Sequence, residues 1–222
     1  MENAPASALI AGATGLVGRS LLDLLLMSGR YERVVALVRH RLMVAHPKLV
    51  EVKIDFDNLE SASGFSGVND VFCCLGTTIK KAGSQEAFEK VDLEYPLSLA
   101  RKSVDNGAEQ FCIVTALGAN PDSGVFYNRV KGKVEEAIRA LPFKAIHIMR
   151  PSILVGDREE SRPGEKVGIA AMGLLSPLMV GRFRKYRPIE AGRVAQAMLR
   201  VCESGMTGCQ VYESDVIQKM TG

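Results

Sequence analysis

Six short apolar runs punctuate residues 8–150: ALIAG (8–12), RVVALVR (33–39), LVEVKIDF (49–56), DVFCCLG (70–76), QFCIVTALG (110–118) and KAIHIMR (144–150). They lack the in–out alternation of a sheet with one wet face, so they read as strands buried on both sides. Between them lie segments with helical spacing, LVGRSLLDLLLMSG (16–29), SQEAFEKVDLEYPLSLARKSVDNG (84–107) and FYNRVKGKVEEAIRAL (126–141). In the first, Leu21, Leu22, Leu25 and Leu26 form an apolar face and Gly29 is placed to stop the helix. Strands and helices in this order predict a doubly wound α/β fold around a parallel sheet. Crossovers of this kind put functional loops at the carboxyl ends of the strands, where Gly12, Arg39, Asp55, Gly76, Thr115 and Arg150 fall.

With 222 residues, 47% hydrophobic and 24% charged, the chain suits one domain spanning 1–222, with a small substrate lobe inserted at 151–190. A net charge of +3 gives no footprint for nucleic acid, and the basic run GRFRKYRP (181–188) reads as solvated surface. Five cysteines without a CxxC pair read as reduced thiols, three of them in buried strands, and suggest a cytoplasmic protein with no metal site. The start of the chain has no signal-peptide pattern. The apolar stretch at 167–181 is too short to span a bilayer and is interrupted by Pro177. It reads as a packed helix or the lining of an apolar pocket, with contact to a membrane surface as the lesser reading.

The first strand runs into IAGATGLVGRS, with glycines at 12, 15 and 18. A tight turn alone would use glycine. At a first strand-to-helix turn, however, the pattern fits a dinucleotide pyrophosphate resting on the free N–H groups of a helix N-terminus. Gly12 permits the turn, Gly15 admits the pyrophosphate and Gly18 lets the helix pack closely on the strand. A carboxylate that would take the ribose hydroxyls of NAD is missing from the tip of the second strand, which carries Arg39 with Arg41 two residues on. A guanidinium can grip a 2′-phosphate bidentately, which favours NADP(H), and Arg19 either assists or lies on the surface. In YNRVK, Tyr127 and Lys131 stand at i and i+4, so they project from one helix face. An ammonium beside a phenol favours the phenolate and makes the tyrosine a usable acid–base group, although such pairs are also common on surfaces.

These residues resemble the short-chain dehydrogenase/reductase superfamily, and most closely its atypical branch that includes the human HIV Tat-interactive protein. The resemblance is carried by GATGLVGR, by CLGTT (74–78) with KAG (81–83), by YNRVKGKVE (127–135) and by RPSILVGDREESRPGE (150–165). It implies a Rossmann-like, NAD(P)-binding fold in which Tyr127 moves a proton at the substrate oxygen. Lys131 would hold the nicotinamide ribose, and Thr115 would orient the substrate carbonyl. It further implies that Thr14, Leu16 and Val17 join the glycines around the pyrophosphate. Leu75, Gly76 and Thr77 would line the ribose and pyrophosphate, Asp55 or Phe56 the adenine edge, and Pro151, Ile153 and Leu154 the nicotinamide. Asp92 stands where relatives often have an asparagine. Arg158, Arg162 and the 167–181 stretch would fall in the substrate lobe and suit an anionic or amphipathic substrate, or else form surface salt bridges.

Two functions follow. One is an NADPH-dependent oxidoreductase acting on a carbonyl or quinone-like substrate. The other is a regulatory protein that binds NADPH and meets a protein partner through residues 167–187.

Overall fold

In β1 (Ala6–Ala11), Leu9 and Ala11 join one apolar layer while Ala8 and Ile10 join the opposite one. β2 (Tyr31–Val38) divides in the same way, with Val35 and Leu37 on one side and Val34, Ala36 and Val38 on the other. A strand buried on both faces must be apolar at every position, which is why the runs lack alternation. The computed structural model describes residues 6–156 and 181–222.

The remaining strands are β3 (Leu49–Lys53), β4 (Asp70–Cys73), β5 (Gln110–Val114), β6 (Ala145–Arg150), the two-residue β7 (Leu154–Val155) and β8 (Ile189–Glu190), and β9 (Gly208–Glu213). Among the described residues, seven of these form a wholly parallel sheet in the order β3-β2-β1-β4-β5-β6-β9. The order reverses between β1 and β4, and in open α/β sheets the ligand crevice lies outside the carboxyl ends at such a point. Helices α1 (Leu16–Met27) and, later in the chain, Ala191–Glu203 pack on one face of the sheet. The other face is covered by α4 (Tyr95–Asp105) and α5 (Phe126–Arg139), which supply Leu99, Ala100, Val134 and Ile138 to the core, while the short α2 (Ile79–Ala82) and α3 (Gln85–Glu89) precede α4 in the chain.

The expected leucine face of α1 is buried, with Leu21, Leu22, Leu25 and Leu26 all in the core. The helix ends earlier than expected, however. Ser28, not Gly29, caps it in an extended conformation, and the Ser28 N–H donates to the Leu24 carbonyl. LVEVKIDF is not a buried strand: β3 stops at Lys53 and sits at the sheet edge, where Val50 is 42% exposed.

The single helix expected over 84–107 is instead α3, a π-helical turn at Lys90–Glu94, and α4. Pro96 has no N–H to give, so the ladder widens ahead of it and the Tyr95 N–H reaches back to the Lys90 carbonyl.

Beyond residue 150 the sequence suggested only a packed helix or pocket lining at 167–181, within the expected lobe. The structure adds β9, helix α6 (Ala191–Glu203) and helix α7 (Ser214–Met220) there. Of the expected lobe at 151–190, only its two ends are described. β7 and β8 pair with each other and bring those ends together. Arg158, Arg162 and residues 167–180 lie outside the described residues.

Candidate functional site

The parallel register that pairs Ala11 with Leu37 and with Cys73 sets the turn after β1 between the tips of β2 and β4. Gly12 turns there with φ +87°, and a Cβ on it would stand 2.5 Å from the Cys74 carbonyl oxygen. A Cβ on Gly18 would lie 2.0 Å from the carbonyl oxygen of Gly12. Both positions therefore exclude side chains for reasons of backbone packing. Gly15 is less confined: its added Cβ would meet the Gly12 oxygen at 3.3 Å, a tight contact but not an overlap of the kind at Gly12 and Gly18. Gly15 is also the N-cap of α1. It offers no side-chain cap, and the first turn of α1 carries no acidic residue. The N-terminal N–H groups and positive helix end are thus left to a ligand, and a pyrophosphate fits this cradle.

Thr14 is exposed beside the turn, Leu16 is half-buried and Val17 is buried in the core. Arg39 follows β2 directly and is exposed on the same sheet edge. Asp55 also reaches this edge, where its carboxylate accepts the Asp57 N–H at 3.0 Å and caps the 3₁₀ turn Phe56–Ser61.

The loop after β4 forms the opposite wall. Leu75 packs on the core, Gly76 is exposed, and the Thr77 N–H donates to Oδ2 of Asp92 at 2.8 Å. Oδ1 of Asp92 lies 2.7 Å from Nζ of Lys131, and both side chains are almost fully buried. A Cβ on Gly76 would come within 3.5 Å of Oδ1 of Asp92 and 3.9 Å of Nζ of Lys131, so the loop lies directly on this ion pair. Burial opposes the charge on Lys131, but the Asp92 carboxylate outweighs it, with help from Tyr127, and raises the lysine pKa above its ordinary value. The Tyr127 ring is half-buried, with its centroid 5.6 Å from that of the buried Phe88 on α3.

One stripe of α5 thus carries Tyr127, Lys131 and Glu135, at i, i+4 and i+8. Glu135 is buried and receives Arg150 from the end of β6, with Nε 2.9 Å from Oε1 and Nη2 2.5 Å from Oε2. Thr115 stands at the expected strand end, but its hydroxyl donates to Oε1 of Glu135 at 2.6 Å. Its proton is thus engaged by a buried carboxylate in the structure. Sequence reasoning missed Glu135 and the partnership of Asp92 with Lys131. The available signal was a carboxylate and an ammonium on the core-facing stripe of an amphipathic helix.

Beyond β6, Pro151 is buried and its carbonyl accepts the Leu117 N–H, while the Ile153 carbonyl accepts the Ile189 N–H. Leu154 and Val155 lead to Gly156, where an added Cβ would sit 3.0 Å from Leu16 Cδ1, so this segment passes over the start of α1.

A family described as NAD(P)H-binding matches residues 12–162. HTATIP2 of Rattus norvegicus is 37% identical over 163 residues, covering 72% of this chain and 67% of the rat protein. The protein named "FMP52, mitochondrial" of Eremothecium gossypii is 32% identical over 198 residues, covering 86% and 88% of the two chains. Among solved structures, human epimerase family protein SDR39U1 with NADPH superposes with a TM-score of 0.64 at 20% identity, over 93% of this chain and 74% of that one. MoeE5 in complex with UDP-glucose and NAD does so with a TM-score of 0.68 at 16% identity, over 97% and 81%. At those identities the structural likeness establishes the fold alone.

The expected cytoplasmic location is overturned, because the fungal relatives are named mitochondrial and reduced cysteines do not distinguish the two compartments. No helix among the described residues is long and apolar enough to cross a membrane. Glycine turn, helix N-terminus, β4 loop and family match coincide, and the chain belongs to the NAD(P)H-binding family with a Rossmann-like fold, as a homologue of HTATIP2 and FMP52.

Proposed function

We propose that the protein is an NADPH-dependent oxidoreductase acting on a carbonyl or quinone-like group, with Tyr127 as the proton donor or acceptor. The observation that carries this reading is the placement of Lys131, buried and paired with Asp92 against the β4 loop, one helical turn from Tyr127. A surface Tyr-x-x-x-Lys pair would have a solvated lysine, whereas this ammonium is buried against Asp92 and the β4 loop.

Bound NADPH supplies the hydride. The turn at Gly12, Gly15 and Gly18 would take the pyrophosphate on the N–H groups of α1, and Arg39 the 2′-phosphate. Lys131 would hold the nicotinamide ribose beside Gly76 and Thr77. The Tyr127 hydroxyl gives its proton to the substrate oxygen, and the nearby ammonium of Lys131 stabilises the phenolate left behind. In the structure the Thr115 proton is engaged by Glu135, so the step is written with Tyr127 and Lys131. Ile79 at the start of α2, Val125 just before α5 and Ile153 beyond β6 are exposed at the carboxyl end of the sheet and suit a substrate with apolar surface.

The test is NADPH oxidation against a panel of carbonyls and quinones, with Tyr127→Phe as the comparison. Turnover on a genuine substrate should fall by about 100-fold in that variant, the usual scale for an acid–base group. Cofactor affinity should barely change, because the aromatic ring and Lys131 remain. A Tyr127→Phe protein as active as the wild type would overturn the mechanism.

A further inference from the structure

Asp92 sits in a π-helical turn, 1% exposed, in a position to touch two separate parts of the cofactor cleft. Its Oδ2 accepts the backbone N–H of Thr77, and its Oδ1 pairs with Nζ of Lys131. We infer that Asp92 is a positioning residue for the cofactor, a single carboxylate that fixes both Lys131 and the Gly76–Thr77 loop where the nicotinamide half of the nucleotide would lie. This rests on the cofactor placement proposed above.

The π-helical turn gives the arrangement its geometry. Widening the helix ahead of Pro96 turns residue 92 inward, toward α5 and the tip of β4. An asparagine of the same shape could not do the same work. It has one acceptor oxygen, so either the Thr77 N–H or the Lys131 ammonium would face an NH₂ group. Lys131 would also lose its counter-charge while remaining 4% exposed. The other titratable groups around it are Tyr127 on its own helix and Cys73 at the end of β4. Burial pushes the Cys73 thiol up to about 12, so it stays neutral near pH 7 and offers no replacement charge. In the wild type, then, the ammonium is held charged and aimed before any nucleotide arrives. Without the carboxylate, burial acts against that charge with only Tyr127 left to support it.

Two measurements made without substrate test this on the purified full-length protein. Calorimetric titration with NADPH should show Asp92→Asn binding about tenfold more weakly at pH 7, the scale of a lost charge-assisted hydrogen bond, and weaker still at pH 9. NMR of ¹³C,¹⁵N-lysine-labelled protein should show Lys131 losing its proton at lower pH in Asp92→Asn than in the wild type. Asp92→Glu keeps the charge but displaces it by one methylene. It should leave the Lys131 titration near that of the wild type while weakening NADPH several-fold, and it serves alone if Asp92→Asn does not fold. Wild-type affinity in both variants, or a Lys131 titration unmoved in Asp92→Asn, would overturn the assignment. An absence of turnover with every substrate tried would overturn the reductase reading and not this one, because neither readout involves a substrate.

Discussion

The hydroxyl of Thr115, at the end of β5, donates to Oε1 of Glu135 at 2.6 Å, and Arg150 closes on the same carboxylate from the end of β6. This buried junction fixes α5 to two strands at the level of the cleft, and so sets the height at which Tyr127 and Lys131 stand. It converts a residue expected to touch substrate into part of the frame that holds the residues that would.

Glu135→Gln should therefore destabilise the fold by about 3 kcal/mol, because Arg150 would be left partly buried without its counter-charge. Thr115→Val should cost roughly 1–2 kcal/mol, with NADPH affinity unchanged. Urea unfolding at pH 7 measures the first, and calorimetric titration of NADPH checks the second. A Thr115→Val protein that folds normally but loses turnover would instead return Thr115 to a direct role.

The three glycines of the first turn should separate into two kinds. Gly18→Ala drives a Cβ to within 2.0 Å of the Gly12 carbonyl oxygen and is expected to cost about 2 kcal/mol or more of stability. Gly15→Val brings its Cβ only to 3.3 Å from that oxygen and should stay folded, as circular dichroism would show, while NADPH binding falls by about tenfold or more. If Gly15→Val binds normally, the phosphate site lies elsewhere.

Arg39 gives the cofactor preference a direct test. A bidentate, charge-assisted contact to a 2′-phosphate is worth about 1.5–3 kcal/mol, so NADPH should bind roughly tenfold or more tighter than NADH. Arg39→Asp should erase or invert that preference in side-by-side fluorescence titrations. Equal affinities in the wild type would remove Arg39 from the site.

His147 predicts an acid limb. It is fully buried in β6, its Nδ1 is 3.2 Å from the Tyr212 hydroxyl, and burial lowers its pKa to about 4 from an ordinary 6.5. Between those values the unfolded chain binds more protons than the folded one. Stability from this residue is therefore complete above pH 6.5 and falls as pH drops toward 4, by up to roughly 3 kcal/mol. His147→Leu should flatten that part of the profile when urea midpoints are compared at pH 7 and 4.5. An unchanged slope would assign the acid limb to other groups.

The sheet, its parallel sense and the positions of its functional loops were legible in the sequence because a strand covered on both faces must be apolar throughout. The same logic made the glycine turn legible, since backbone approaching backbone at Gly12 and Gly18 leaves no room for any other residue. The edge position of β3 was signalled but missed. LVEVKIDF alternates Glu51, Lys53 and Asp55 with apolar residues, the pattern of a strand with one wet face, and β3 is the terminal strand of the sheet among the described residues. The pairs that build the site were not legible at all. Asp92 and Lys131 are 39 positions apart in sequence, as numbered, and Thr115 and Glu135 are 20 apart. Their partnership depends on a π-helical turn before Pro96 and on the height at which α5 crosses β4 and β5. Local chemistry determined which residues could turn, pack or carry charge. Long-range packing decided which charges meet, because buried charges must find partners and only the folded chain brings those partners within reach.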